Sequence, residues 1–337
     1  MKKKLLSLVV LASCSGSSFA QTTVIIYGLV DAGITAETGG TAGSVLKLAT
    51  GVQSGNRLGF KGTEDLGSGL KANFHLETGF ELDDGKLRQG GALFGRQAHV
   101  GLSGSFGSIN LGRNYNPFFV ALDGVDPFGT GLPGSTTNLM NGSSVRTNNS
   151  ISYSSAPMGG FSANIVYGLG EVAGSSAKSR AIDFSVSYLN GPLVVALAYD
   201  SLNNDTDTNL TKLTLLGGKY NFGVATLHLA YETEKNDVGM DFRDMMAGVT
   251  VPVGAGSFMA SYIKKTDKSV AGNAGAKQFA FGYTYAMSQR TNLYTGYGRI
   301  NNDAGATAKV GDASGGGSAP VAGNSSSAFT VGVRHKF

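Results

Sequence analysis

Apolar and polar residues alternate along this chain in pieces of about ten residues, the length of a strand that crosses a bilayer. Leu70, Ala72, Phe74, Leu76, Thr78 and Phe80 fall on one side of a two-residue period, and Lys71, Asn73, His75, Glu77 and Gly79 fall on the other. Phe161, Ala163, Ile165 and Tyr167 repeat the split, as do Ile182, Phe184, Val186 and Tyr188, then Ala225, Leu227, Leu229 and Tyr231, then Phe279, Phe281, Tyr283 and Tyr285. Each piece reads as a strand with one dry face. The last nine residues, FTVGVRHKF, keep the same period as far as Phe337. Chain ends ordinarily fray, so a strand pattern held to the last residue predicts a partner strand for it.

The connectors alternate in size. Short ones fall at 65–69, 105–108, 157–160, 190–192, 221–223, 252–256 and 288–290, and longer polar ones near 36–55, 81–91, 115–147, 171–178, 202–208, 235–240, 267–275 and 302–325. Seven short and eight long connectors join sixteen strands, with tight turns at one end and long loops at the other. In hydrocarbon every backbone N–H and C=O must be paired internally, so a sheet can span only by closing on itself. The expected fold is therefore all-β, a 16-stranded antiparallel transmembrane barrel. Its strand beginning near Thr22 pairs with the one ending at Phe337. A secreted β-sandwich would also have short alternating strands, but its dry faces would be rich in Leu, Ile and Val packed sheet on sheet. The dry face here is rich in Tyr, Phe, Ala and Gly, which suits lipid. No stretch approaches 18 consecutive apolar residues, which excludes a helical span.

Residues 1–20 have a different character. Lys2, Lys3 and Lys4 precede an apolar run from Leu5 to Leu11, and Ser18-Phe19-Ala20 is a small-x-small cleavage site, so 1–20 read as a signal peptide and 21–337 as the barrel. Leu11-Ala12-Ser13-Cys14 also resembles a lipobox, which would place cleavage and a lipid at Cys14. Both alternatives export the chain. Removing the three lysines from the 27 basic residues leaves 24 against 23 acidic ones, so the formal charge falls from +4 to +1. Net charge thus gives no support to a nucleic-acid partner. Cys14 is the only cysteine, which excludes an internal disulfide framework.

The segments VIIYGLVDAG (24–33), NRLGFKGTEDLGSGLKANFHLETGF (56–80), LFGRQAHVGLSGSFGSINLGRN (93–114), NSISYSSAPMGGFSANIVYG (149–168) and the final VGVRHKF resemble the trimeric general porins of Gram-negative bacteria, of the beta-proteobacterial type. The resemblance implies an outer-membrane homotrimer with sixteen strands per subunit and a third loop folded into each barrel. It further implies contact with outer-membrane lipid and lipopolysaccharide, recognition of C-terminal Phe337 by the barrel-assembly machinery, passage of small hydrophilic solutes, and no cofactor. The residues support the loop separately. Segment 115–147 carries Phe118, Phe119, Val120, Leu122, Val125, Phe128, Leu132, Leu139 and Met140, more apolar side chains than a solvated loop would hold. It is expected to pack on something, and the resemblance makes that the inner wall.

Pores of this kind sort solutes by the charges that ring them. Arg57 and Lys61 lie four residues apart and share a strand face, while Leu58 and Phe60 take the other. An outward arginine at mid-depth costs about 2 to 4 kcal/mol, which turns both bases inward. Arg96 and Arg146 match the family's constriction arginines, and Asp123 and Asp126 stand in the third loop. Four bases against two acids predict a weak preference for anions. Two positions stay open. Arg96 shares parity with Ala98, Val100 and Leu102, which read as outward, so either a bulge re-aims it or its strand lies in the trimer interface, the option that the resemblance favours. Asp123 and Asp126 could instead cap turns of their own loop. GTGLPG at 129–134 fits a dinucleotide-binding expression but lacks the strand before it and the helix after it. No GxSxG, HExxH or CxxC occurs, and the four histidines have no metal-ligand spacing. The expected function is passive diffusion of small hydrophilic solutes and ions, with a solute-specific porin or an outer-membrane barrel hydrolase as rivals.

Overall fold

The computed structural model describes residues 23–270, 272–311 and 318–337. The expected signal peptide, Cys14 and Thr22 lie outside the described residues, as does part of the last long loop.

The first strand, β1, runs from Thr23–Thr38, and β2 (Val45–Thr50) and β3 (Arg57–Gly67) both pair with it. β2 meets Ala32–Glu37 and β3 meets Thr23–Leu29, so the two are halves of one stave broken at 51–56. The series continues as β4 (Leu70–Gly79), β5 (Gln97–Gly104), β6 (Gly107–Tyr115), β7 (Arg146–Ser154), β8 (Phe161–Gly168), β9 (Ala181–Asn190) and β10 (Leu193–Asn203). It finishes with β11 (Leu210–Asn221), β12 (Thr226–Asn236), β13 (Asp241–Val253), β14 (Gly256–Asp267), β15 (Ala276–Ala286), β16 (Thr291–Asn302) and β17 (Ser326–Lys336). Each strand pairs antiparallel with the next, and β17 pairs back onto β1 from Leu29↔Lys336 to Thr38↔Ser327. Counting the broken stave once gives the sixteen strands of a closed barrel.

Closure extends to the final residue. Phe337 N–H donates to Gly28 O at 3.0 Å and Gly28 N–H donates to Phe337 O at 2.9 Å. All seven short connectors fall where the sequence puts them. The long connector expected over 36–55 is the exception, since it contains β2. The polar content of TGGTAGS marks only the true loop, 39–44, and the alternating residues after it return to the ladder.

Alternation decides which face meets what. In β17, Phe329, Val331 and Val333 are exposed, while Ala328 and Thr330 are buried. In β12, Leu227, Leu229 and Tyr231 are exposed, while His228, Ala230 and Glu232 are buried. The outer wall is therefore an apolar band, as a lipid-facing barrel requires. The buried apolar residues are not a core between sheets. Most of them sit where the segment between β6 and β7 packs on the inner wall, and Val310 of the last long connector joins the same cluster.

Candidate functional site

That segment begins at Asn116, whose side-chain oxygen accepts from Phe118 N at 2.7 Å and Phe119 N at 3.2 Å. With Pro117 next, this N-cap starts helix α1 (Pro117–Val125). Phe118, Ala121, Leu122 and Val125 recur at helical spacing, are all buried, and form one cluster with Ala196, Ala198, Leu213, Leu215 and Ala230 of β10, β11 and β12. The backbone comes close enough that small residues are needed on the wall. A Cβ on Gly217 would stand 2.9 Å from Val125 Cγ2, and one on Gly298 would stand 2.2 Å from Pro133 O. The loop therefore packs on the face opposite the apolar band, so it lies inside the barrel.

Polar contacts fix its ends and tip. Asp126 closes α1 and accepts from Phe128 N at 2.9 Å, Thr130 N at 3.0 Å, Thr136 N at 2.9 Å and Thr136 Oγ1 at 2.9 Å. Burial pushes this carboxyl up to about 6 against the pull of those four donors. His228 Nδ1 lies 2.9 Å from Val125 O and serves there as a donor. On the far side, Asn141 donates through N to Glu232 at 2.8 Å and through Nδ2 to Glu234 at 2.6 Å. Glu232, Glu234 and Asp244 bring carboxylate oxygens within 4.8 Å of one another, a spacing that could hold a metal ion. Lys265 Nζ already stands 3.2 Å from both Glu234 and Asp244 and supplies a cation to the group.

The loop leaves a cavity of about 990 Å³, and the wall across from it carries the bases. Arg57, Arg96 and Arg146 line it as expected, joined by Arg88 and Lys265, and Asp123 and Glu234 are the acids. Five bases thus face two acids. Arg96 Nε bonds Glu77 Oε1 at 2.6 Å in a buried pair, and its Nη2 donates to the Tyr115 hydroxyl at 2.7 Å. Arg146 Nη2 donates to the same hydroxyl at 2.8 Å, and its guanidinium lies 4.5 Å from the Tyr115 ring centroid. One phenol oxygen, acting as acceptor, therefore gathers two guanidinium groups. Arg57 Nε is turned back to Gly55 O at 3.0 Å. Among the described residues, Arg57 and Arg146 make no ion pair, whereas Arg88 pairs with Glu81 at 3.2 Å and Lys265 with its two acids.

Three sequence expectations change. Arg96 does not obey strand parity because it sits in a bend ahead of β5, so neither a bulge within the strand nor a subunit contact is needed to turn it inward. Asp126 does not face the cavity, since it is buried in its own loop's turns. Lys61 is exposed and lies outside the cavity lining, its Nζ 5.3 Å from the Tyr27 ring centroid. Four residues of strand separate it from Arg57, about 13 Å along the wall. Asp123 is where the charge count needs it, and Thr130 Oγ1 donates to it at 2.6 Å.

Asp31 gives no signal in the sequence but organises much of this site. Its Oδ2 accepts from Gln53 N at 2.9 Å and Ser54 N at 2.7 Å, and Tyr294 donates to Oδ1 at 2.7 Å. These bonds hold the break between β2 and β3, which places Gln53, Ser54 and Gly55 in the cavity wall beside Arg57. Val52 O then accepts Leu132 N at 2.8 Å, joining the break to the loop.

The comparisons with known proteins agree with this geometry. The chain is 36% identical over 364 residues to outer membrane porin protein 32 of Delftia acidovorans and 33% identical over 402 residues to an outer membrane porin protein of Bordetella pertussis, with each whole chain covered. The solved structure of an anion-selective porin from Comamonas acidovorans superposes with a TM-score of 0.84 at 32% identity, covering 94% of this chain and all of that one. The Gram-negative porin family matches residues 7–305. A closed sheet with an apolar outside, a charged inside and a loop narrowing it belongs in the outer membrane, and the chain belongs to the Gram-negative porins, the passive channels of that membrane.

Proposed function

We propose that the water-filled channel favours small anions, and that Arg57 and Arg146 set this preference with Arg96 and Arg88 beside them. The carrying observation is the excess of bases over acids around the cavity, together with the absence of an ion partner for Arg57 and Arg146 among the described residues. Fixed charges act strongly on an ion at a narrow, partly desolvated point. The anion-selective porin from Comamonas acidovorans supports the same sign.

The mature unit is residues 21–337 after removal of 1–20, it assembles as a homotrimer, and Phe337 is the signal read by the barrel-assembly machinery. The basic residues Lys2 to Lys4, the apolar run Leu5 to Leu11 and Ser18-Phe19-Ala20 support the first statement, the resemblance to general porins supports the other two, and the pairing of Phe337 with Gly28 fits the last. The chain works without catalytic turnover, because transport here needs only a wet, charged passage. Single-channel recording in a salt gradient tests the selectivity. A reversal potential of the anion-preferring sign is expected, and a cation-preferring one would overturn the assignment.

A further inference from the structure

Two of the four histidines, far apart in chain order, meet inside the barrel. His75 and His99 are register partners on β4 and β5. His75 shares the strand face of buried Glu77, and His99 takes the face opposite exposed Val100 and Leu102, so both rings are turned to the lumen. Their centroids are 5.5 Å apart and their planes 78° apart. Glu77 stands two residues along β4, one pleat repeat of about 7 Å. The pair therefore lies on the short-turn side of the Arg96 and Glu77 ion pair, next to the constriction.

The hydrogen bonds around the pair leave ring nitrogens free. Tyr27 donates its hydroxyl proton to Glu77 Oε2 at 2.6 Å, and the same phenol oxygen meets His75 Nε2. With its proton given to Glu77, that oxygen accepts from His75 Nε2–H, so Nδ1 of the neutral ring keeps a bare lone pair. His75 bonds only through Nε2 among the described residues. His99 Nδ1 is buried without a hydrogen-bond partner. Nothing thus holds the His99 ring against rotation about its soft terminal torsion. An imidazole that donates one N–H to a fixed oxygen and presents the other nitrogen is the arrangement of a metal-ligating histidine with its outer partner in place.

We propose that His75 and His99 form a reversible site for a borderline-soft divalent cation, zinc or nickel, in the wall of the channel. Two imidazoles on one ion, with metal–nitrogen distances of about 2.0 to 2.1 Å, put their centroids about 5 Å apart, close to the separation found. Glu77 is no third ligand, because Arg96 holds its Oε1 and Tyr27 its Oε2. Water from the lumen completes the coordination. Lys61 is the register partner of His75, and its ammonium stands 5.3 Å from the Tyr27 ring centroid. That charge opposes any cation held by attraction alone, so calcium and magnesium, which need oxygen ligands, are excluded while imidazole-binding ions are admitted. A bound ion adds two positive charges about one pleat repeat from the constriction and strengthens its pull on anions. The site needs only the inward face of β4 and β5 and is independent of the sign of the pore's own preference.

The test uses untagged protein in detergent, titrated with zinc, nickel or calcium chloride and followed by calorimetry. Cobalt serves as a visible-absorption probe of nitrogen ligation. Wild type should bind one zinc ion per chain and bind calcium at least about a hundredfold more weakly. His75→Gln and His99→Gln should each weaken zinc binding at least tenfold and abolish the cobalt band, whereas His335→Gln should keep both. Tyr27 acts as a positioning residue, so Tyr27→Phe should weaken zinc binding about 10- to 100-fold and shift the cobalt band. In planar bilayers, zinc should move the wild-type reversal potential toward anions, a chelator should restore it, and His99→Gln should not respond. No bound zinc, unaltered binding in His99→Gln, calcium bound as tightly as zinc, or binding with no shift in potential would overturn the proposal. If His75→Gln fails to fold, His99→Gln carries the test, since His99 Nδ1 has no partner to lose. Reversal potentials recorded without metal test the pore's own preference separately.

Discussion

At the residue scale, the constriction depends on where a few charges find partners. Glu77 neutralises Arg96 in a buried pair, which leaves Arg57 and Arg146 with charge directed at the passing ion. Glu77→Gln removes that compensation, and breaking a buried pair costs about 3 to 5 kcal/mol. The variant should denature at lower urea concentration in detergent than wild type, while any channels that form should prefer anions more strongly. Asp126 adds a pH dependence. Its carboxyl is raised to about 6 in the docked loop, above the ordinary value of 3.8. A raised acid favours the docked state fully below the ordinary value, and that contribution is lost as pH rises through about 6. Open-channel current noise should therefore be lowest near pH 4 and rise between pH 4 and 6. Noise that falls over this window would show that Asp126 docks as the free carboxylate.

At the scale of elements, α1 is held by a narrow apolar stripe on a wall of alanines, leucines and glycines. Leu122 is fully buried in that contact. Leu122→Ala should cost about 2 to 5 kcal/mol of docking. It should appear as larger and more variable single-channel conductance with the barrel's far-ultraviolet signal intact. Unchanged conductance would mean that the loop does not set the narrowest point. This contact was legible in the sequence as an unusually apolar long connector, because apolar residues must be covered wherever they lie. The strands and turns were legible for the same reason, since the two faces of one sheet meet different solvents. What the sequence did not reveal depends on local exceptions to that periodicity. Arg96 sits in a bend, β2 and β3 are one stave with a break, and Asp126 spends its acceptors on its own backbone. Glu77 showed only as a member of a polar face, since its partner is 19 residues away in sequence and beside it only once the sheet forms. Arg88 lies in a connector, where alternation carries no information about direction, whereas Lys265 lies in β14 and shares the inward parity of Ile263, so its direction was legible.

At the scale of the whole molecule, the account requires a sheet with no free edge and an electropositive passage through it. The seam between β1 and β17 can be locked. Thr35 and Thr330 are register partners with their hydroxyl oxygens 2.9 Å apart. Cysteines at these two positions, treated with a mild thiol oxidant, should form a disulfide in the folded barrel and shift its mobility on gels, a shift that reductant reverses. Two free thiols in folded protein would mean that the seam is open. The passage is tested most directly by the reversal potential in a KCl gradient, recorded for wild type and for Arg57→Glu combined with Arg146→Glu. The expected result is an anion-preferring potential in wild type that moves toward cations in the variant. An unchanged potential would show that these arginines do not stand at the point where the channel selects its ions.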